Sequence, residues 1–275
     1  VLKGRCRPEI LHSYSAERQA VAQDLIDFDR EWARIISERP AESGGDGEET
    51  PKFQRYFIKS GHYTAGMSVS YKPSDLVGEA KWQSLAAGFD IGSRFHSAPV
   101  VRLGDAKAVE IGSVVKADAR WHVFAFCPRE EPALEGSAIR RLCGYLAAAP
   151  GSPIIRHTEA DADIDSVIDF RAIFQQDHRE LDIAQMPDLL LPKKGRFGLI
   201  DYDKMFCAQA NGGPDIFDLR GIDRDKGCMV VVRPDQYVAH VLPLDAHEEL
   251  AVFFDRFMLE QPDVASAARP ASALA

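Results

Sequence analysis

The stretch that most narrows the fold is VVVRPDQYVAHVLPL, Val230 to Leu244, followed at once by DAHEELAVFFDRFML. Pro234 fixes one backbone dihedral and Asp235 can hydrogen-bond the backbone beyond it, so the apolar runs on either side read as two strands folded at a tight turn. Beyond the turn the spacing becomes helical. Leu250, Phe253, Phe254 and Phe257 share one face, with Asp245 predicted as N-cap and Glu248, three residues on, completing a capping box.

The rest of the chain supplies partners for this unit. The run Trp121 to Cys127 has the length and aromatic bias of a central strand buried on both faces. Before it, APVVRLGDAKAVEIGSVVKADAR alternates into strands, with a turn at Gly104-Asp105 and a corner at Asp118-Ala119. After it, SAIRRLCGYLAAA places Ile139, Leu142, Tyr145 and Leu146 on one helical face with Ser137 as N-cap. DIDSVIDFRAIF and GRFGLIDYD read as further strands. The order is hairpin, strand, helix, strand, hairpin, helix, which predicts an α/β sandwich of one mixed sheet with flanking helices. A terminal hairpin followed by a terminal helix is the ordering of the thioredoxin fold, yet no cysteine pair opens a helix. A thioredoxin-like body without thiol function is therefore expected.

The N-terminal third has a different character. From Pro8, the spacing of Val21, Leu25, Phe28, Trp32 and Ile35 predicts one long helix, with Pro40 as its stop and Asp24, Asp27, Arg30 and Glu31 on a solvated face. A helix this long is expected to lie against something extended. ERPAESGGDGEETPKF then reads as a surface loop or a mobile segment. The aromatic and glycine residues from Phe53 to Tyr71, including Tyr56, Phe57 and Tyr63, suggest an interface, with packing into the chain's own core as the alternative.

Charge and cysteine content bound the function. With 33 Lys and Arg against 42 Asp and Glu, the net charge of −9 repels phosphate backbones and anionic lipid, and no local basic face offsets it. Neither nucleic-acid nor membrane binding is expected. No run approaches the roughly 18 apolar residues of a membrane helix, and no leader peptide is apparent. Cys6, Cys127, Cys143, Cys207 and Cys228 lack the C-x-x-C spacing of zinc or dithiol sites and read as reduced thiols of a cytoplasmic protein. Val1-Leu2 reads as the tail of an apolar element, as expected for the back part of a longer protein.

Candidate sites fail on their own chemistry. DADIDS, Asp161 to Ser166, resembles the start of a calcium loop, but Ser166 and Ala172 stand where glycine and glutamate are required, so a solvated turn is predicted. His12, His62, His96, His122, His157, His178, His240 and His247 show no metal-binding spacing, and His96 and His240 read as packing or turn residues. ANGGPD, Ala210 to Asp215, has turn glycines but no strand-to-helix setting for a phosphate. Neither G-x-S-x-G nor G-x-G-x-x-G occurs. The residues point to an interaction or scaffold module without a self-contained active site.

A family resemblance extends this reading. LHSYSAERQAVAQDLIDFDREWARIIS, with Ser13-Tyr14 and Glu17-Arg18, resembles the helix leaving the flavin domain of FAD-dependent aromatic-ring hydroxylases. GSRFHSAPVVRL, DARWHVFAF and above all RPDQYVAHVLPL resemble the C-terminal thioredoxin-like domain of the phenol 2-monooxygenase group. The resemblance implies a division into residues 1–75, the end of the FAD and substrate region, and residues 76–275, a thioredoxin-like C-terminal domain. It implies an enzyme that uses FAD and NADPH to hydroxylate a phenolic ring beside its hydroxyl, either 3-hydroxybenzoate to 3,4-dihydroxybenzoate or phenol to catechol. Implied partners are a small aromatic substrate, the protein's own N-terminal FAD domain and a second copy. The family's flavin, NADPH and substrate motifs match no residue here, so no catalytic, cofactor-binding or metal residue is assigned. A non-catalytic thioredoxin-like dimerisation module is the remaining alternative.

Overall fold

In the structure, a computed structural model, the apolar run after Arg120 forms the strand expected of it. The structure describes residues 1–37, 56–58, 60, 61, 63, 65–208 and 213–261. The expected loop after the long helix, the stop at Pro40, His62 and the first half of ANGGPD lie outside the described residues.

The strands are β1 (Pro99–Arg102), β2 (Ala108–Glu110), β3 (Trp121–Phe126), β4 (Ile168–Phe174), β5 (Lys193–Lys194), β6 (Leu199–Ile200), β7 (Met205–Ala208), β8 (Cys228–Val232) and β9 (Val238–Leu242). The helices are α1 (Leu11–Ser37), α2 (Ala138–Ala148), α3 (Pro153–His157), α4 (Ile216–Leu219) and α5 (His247–Asp255). Seven strands form one mixed sheet in the order β2-β1-β7-β4-β3-β8-β9. β3 runs parallel to β4 and antiparallel to β8, and β8 pairs antiparallel with β9. The unit β4-β3-β8-β9, with α2 linking the parallel pair and α5 after the hairpin, has the strand order of the thioredoxin fold. The β1-β2 hairpin and β7 extend it on the far side.

Side chains alternate across a strand, and the two halves of β3 show what that does. Trp121, Val123 and Ala125 enter a core shared with Phe170, Leu142, Leu146, Leu250 and Phe253. Phe124 and Phe126 enter a second core with Phe89, Phe95, Phe206, Phe217 and Val230. Trp121 stands at ring-centroid distances of 5.9, 5.5 and 4.9 Å from Phe253, Phe254 and Phe257, the stripe read from the sequence. Burying each such side chain contributes about 1.5–3 kcal/mol.

Several local expectations hold, and others are corrected. Ser137 caps α2, its hydroxyl accepting from the Arg140 amide at 3.4 Å. Asp118 accepts from the Arg120 amide at 3.1 Å, and Ala119 takes φ +66 at the corner. Asp245 does not cap α5. Ala246 holds that position without a side-chain cap, and the Asp245 backbone carbonyl accepts from the His247 amide at 2.8 Å. The turn from Pro243 is too tight for the carboxylate to reach forward. Asp235 likewise bonds not to the backbone but to the Arg233 side chain, at 3.1 and 2.9 Å. GRFGLIDYD does not join the main sheet. Its Leu199-Ile200 pairs only with Lys193-Lys194, in a separate two-stranded hairpin, and the main-sheet strand is β7, just beyond it.

The long helix forms as expected, with Pro8 in a 3-10 turn at its start. None of its described side chains is fully buried, and Leu25 and Ile26 are 48% and 46% exposed. Phe28 stacks on Tyr63 at 4.6 Å and Tyr56 at 6.0 Å, so part of the segment expected as an interface folds back on the helix. Phe57, Ile58 and Met67 remain exposed, whereas Tyr71 joins the core against Tyr237. On the solvated face Arg30 pairs with Asp27 and Arg34 with Glu31.

Candidate interaction surface

A charged contact ties the helix to the body. Arg233, buried at the start of the β8–β9 turn, donates to Glu17 of α1 through both Nη atoms at 2.6 and 2.9 Å, and it lies over the Tyr71 ring at 4.9 Å. Glu17-Arg18 and RPDQYVAHVLPL, two segments that carried the resemblance, are thus joined by one ion pair. Burial alone would lower the Arg233 pKa, and the Glu17 and Asp235 carboxylates more than offset that. Arg233→Ala is expected to cost about 2 kcal/mol in charge-assisted hydrogen bonds. The check is amide exchange, which should quicken along residues 11–37 and leave β3 and β4 unchanged.

The histidines do not converge. His12 is exposed, while His122, His157 and His240 are buried in separate places. His178 sits beside Asp177 at 3.2 Å and His247 stacks on Tyr145 at 4.4 Å. Among the described residues no group of three or more His, Cys, Asp or Glu could hold a metal ion. His240 is a packing residue, as expected. Its ring meets Phe253 edge-on at 5.5 Å, its Nδ1 accepts from the Val241 amide at 3.0 Å, and a Cβ on Gly78 would come within 2.6 Å of it. Burial, then the Arg256 charge and to a lesser extent Lys81, push its pKa down to about 4, against the raising effects of Glu249 and the Val241 amide. The unfolded chain binds this proton near pH 6.5 and the fold does not, so stability is full above that pH and declines towards pH 4. The decline is expected to reach roughly 3 kcal/mol. His240→Phe should flatten that part of the urea-midpoint profile between pH 7 and 4.

The thiols are equally unsuited to chemistry. All five cysteines are free, and all but Cys6 are buried. Burial raises Cys127 and Cys143 well above the ordinary thiol value and Cys207 to about 12, so little thiolate exists at neutral pH.

Acidic side chains occupy two helix starts that follow strands of the sheet. A dinucleotide site needs free amides at a helix that follows a parallel strand. Here α2 follows β3, but the Ala138 amide donates to the Glu130 carboxylate and the Arg140 amide to the Ser137 hydroxyl. An acid stands where a phosphate would lie. Asp215, after β7, caps the short α4 through the Phe217 and Asp218 amides at 2.8 and 3.2 Å. ANGGPD thus ends at a helix start, where Asp215 takes the Phe217 and Asp218 amides that a phosphate would need.

The densest polar cluster is structural, and DADIDS is part of it. Lys204, fully buried, reaches Asp165 and Asp169, each at 2.5 Å. Arg171 bonds Asp169 at 3.0 and 2.8 Å, Arg120 bonds Asp165 at 3.1 Å, and His122 lies across the β3–β4 register 3.3 Å from Asp169. Burial favours the neutral form of Asp169, but the His122 contact and the Arg171 and Lys204 charges overcome it and hold the carboxyl well below its usual range. Asp165 is lowered in the same way, burial being outweighed by Lys204 and Lys194. Asp165 is buried, which corrects the reading of DADIDS as a solvated turn at that residue, while Asp161 is exposed.

This cluster holds the β5–β6 hairpin. Lys194 bonds Asp165 at 2.7 Å and Asp201 at 3.1 Å, and the Gly195 amide donates to Asp163 at 2.8 Å. Gly195 and Gly198, at φ +63 and +59, make the tip. Phe197 and Leu199 on it are 73% and 69% exposed, and Ile200 and Tyr202 are exposed too. Beside the hairpin runs a groove of about 450 Å³, lined by Ile164, Leu189, Leu191 and Ile200, with Asp188 and Lys193 on its rim. No helix among the described residues is long and apolar enough to cross a membrane.

Residues 69–262 match the family described as phenol hydroxylase, C-terminal dimerisation domain. Over 260 residues the chain is 52% identical to a 3-hydroxybenzoate 4-monooxygenase of Comamonas testosteroni, an alignment covering 94% of this chain and 40% of that protein. It is 33% identical to the FAD-dependent monooxygenase terD of Aspergillus terreus, over 94% of this chain and 43% of that protein. The chain therefore spans about two-fifths of the length of these curated relatives. Among solved structures, a protein disulfide isomerase homologue from Bacteroides thetaiotaomicron aligns with a TM-score of 0.36 at 12% identity, over 59% of this chain and 84% of that one.

Proposed function

This chain belongs to the family of phenol hydroxylase C-terminal dimerisation domains, and on that premise we propose that it is the C-terminal part of a flavoprotein monooxygenase. The reaction proposed is hydroxylation of 3-hydroxybenzoate to 3,4-dihydroxybenzoate with NADPH and O2. The observation that carries it is the 52% identity, across 94% of this chain, to a 3-hydroxybenzoate 4-monooxygenase. Conversion of phenol to catechol is the alternative. The flavin would supply the oxygen chemistry from residues outside this chain, since the helix starts described above are already filled by Glu130 and Asp215.

What these residues do on this reading is assemble the enzyme. Residues 1–75 would belong to the flavin and substrate region, and residues 76–275 would form the accessory domain. The half-exposed stripe of α1, with Leu25 and Ile26, would face the protein's own FAD domain, and the accessory domain would hold two copies together. A cytoplasmic location follows from the same reading.

The intact protein should be yellow and should oxidise NADPH faster when 3-hydroxybenzoate is added, yielding 3,4-dihydroxybenzoate. Catechol formed from phenol, with no response to 3-hydroxybenzoate, would select the alternative. A colourless protein with no aromatic-dependent NADPH oxidation would refute both.

A further inference from the structure

The β5–β6 hairpin presents an arrangement that its own chain does not complete. A two-stranded hairpin is marginal in water by itself, and an apolar tip held in solvent adds a further penalty. Yet this one is held firmly, by Lys194 to the buried Asp165 and by the Gly195 amide to Asp163. The network fixes the position of Phe197, which touches no core of its own and is 73% exposed. A groove of about 450 Å³ with apolar walls opens beside it.

The charges around these features complement one another. Arg196 at the tip lies 4.5 Å over the Phe197 ring, and the exposed Asp188 lines the groove. Neither forms an ion pair among the described residues, whereas nearby Lys194 and Asp201 pair with each other. One chain thus carries a knob with a cation and a hole with an anion. Contact about a two-fold axis requires both halves of the match on one surface, because residue i then meets j while j meets i.

We propose that the β5–β6 hairpin and the groove beside it are the contact between two copies of this chain. Phe197 of each copy enters the groove of the other, and Arg196 of each pairs with Asp188 of the other. The assignment rests on the dimer reading above and names the residues through which it is realised. The exposed stripe of α1 is a separate surface and takes no part in this contact.

The test is sedimentation equilibrium of the intact protein and of Arg196→Asp, Asp188→Arg, the two combined, and Phe197→Ser. All three positions are exposed, and unchanged circular dichroism and melting temperature verify the fold. Each single variant alters the contact twice per dimer, and its dissociation constant should rise on the order of a hundredfold. The charge-swapped double variant should return to within about tenfold of the wild type, because Asp at 196 then meets Arg at 188. If the wild type is dimeric and the single variants bind as tightly, or the swap fails to rescue, the surface assignment is wrong while the dimer reading stands. If the wild type is monomeric, the dimer reading fails and this inference with it.

Discussion

Lys204→Ala is expected to destabilise the fold by about 3–5 kcal/mol, because it leaves the buried carboxylates of Asp165 and Asp169 without their shared cation. The lost ammonium is the central charge of the cluster, at 2.5 Å from each acid. Arg120 and Lys194 remain beside Asp165, and Arg171 beside Asp169, which limits the effect to that range. For a domain of this size the melting temperature should fall by roughly 10 °C. Lys204→Met, which keeps most of the volume, should lose nearly as much, since charge rather than packing is at stake. A loss below about 1 kcal/mol in both would show that the network relaxes onto water. Asp165 and Asp169, both held below the usual carboxylate range, contribute stability that is present at neutral pH and lost as the pH falls below about 4. The variants should lack most of that acid-dependent component. They should also loosen the β5–β6 hairpin, since Lys204 positions the carboxylate that Lys194 holds.

Gly227→Ala should do still more damage, at least about 4 kcal/mol. Gly227 precedes β8 with φ +64, and a Cβ there would lie 2.3 Å from the Phe126 carbonyl oxygen and 3.0 Å from Leu244. The obstacle is the backbone of the central strand, which cannot yield without breaking the β3–β8 ladder. Loss of soluble protein, or a melting transition lowered by more than 10 °C, is the outcome expected. Gly144→Ala, at an exposed position in the interior of α2 where a Cβ meets nothing within 4 Å, is the control and should stabilise by up to about 1 kcal/mol. If the two behave alike, β8 is not seated as described.

The elements legible in the sequence were those whose pattern reflects local physics. Trp121 to Phe126, the α2 face with its Ser137 cap, and the phenylalanine stripe of α5 follow from alternation, capping and 3.6-residue spacing, and each appears where its pattern places it. What escaped was long-range. Asp163 and Asp165 look like a solvated turn because their partners, Lys194, Gly195 and Lys204, lie 29 to 39 residues away. Local spacing holds no trace of such pairs. One signal was available: lysines at 194 and 204 flank the exposed apolar run of GRFGLIDYD, an unusual setting for a strand taken to be in the sheet. The N-cap of α5 failed for the opposite reason, because Asp245 and Glu248 have the right spacing but Pro243 tightens the approach, and Glu249 is drawn to Lys81 and Trp82 at 3.0 and 3.1 Å. The Arg233–Glu17 clamp joins residues 216 positions apart and could be found only from the fold.

On the proposed reading these residues assemble an enzyme whose flavin is held elsewhere, and flavin binding to this chain tests it most directly. FAD fluorescence anisotropy is followed while this 275-residue chain is titrated in. A flat trace is expected, since the amides at the starts of α2 and α4 already serve Glu130 and Asp215. A saturable rise reaching one flavin per chain would place the cofactor site within these residues and contradict it.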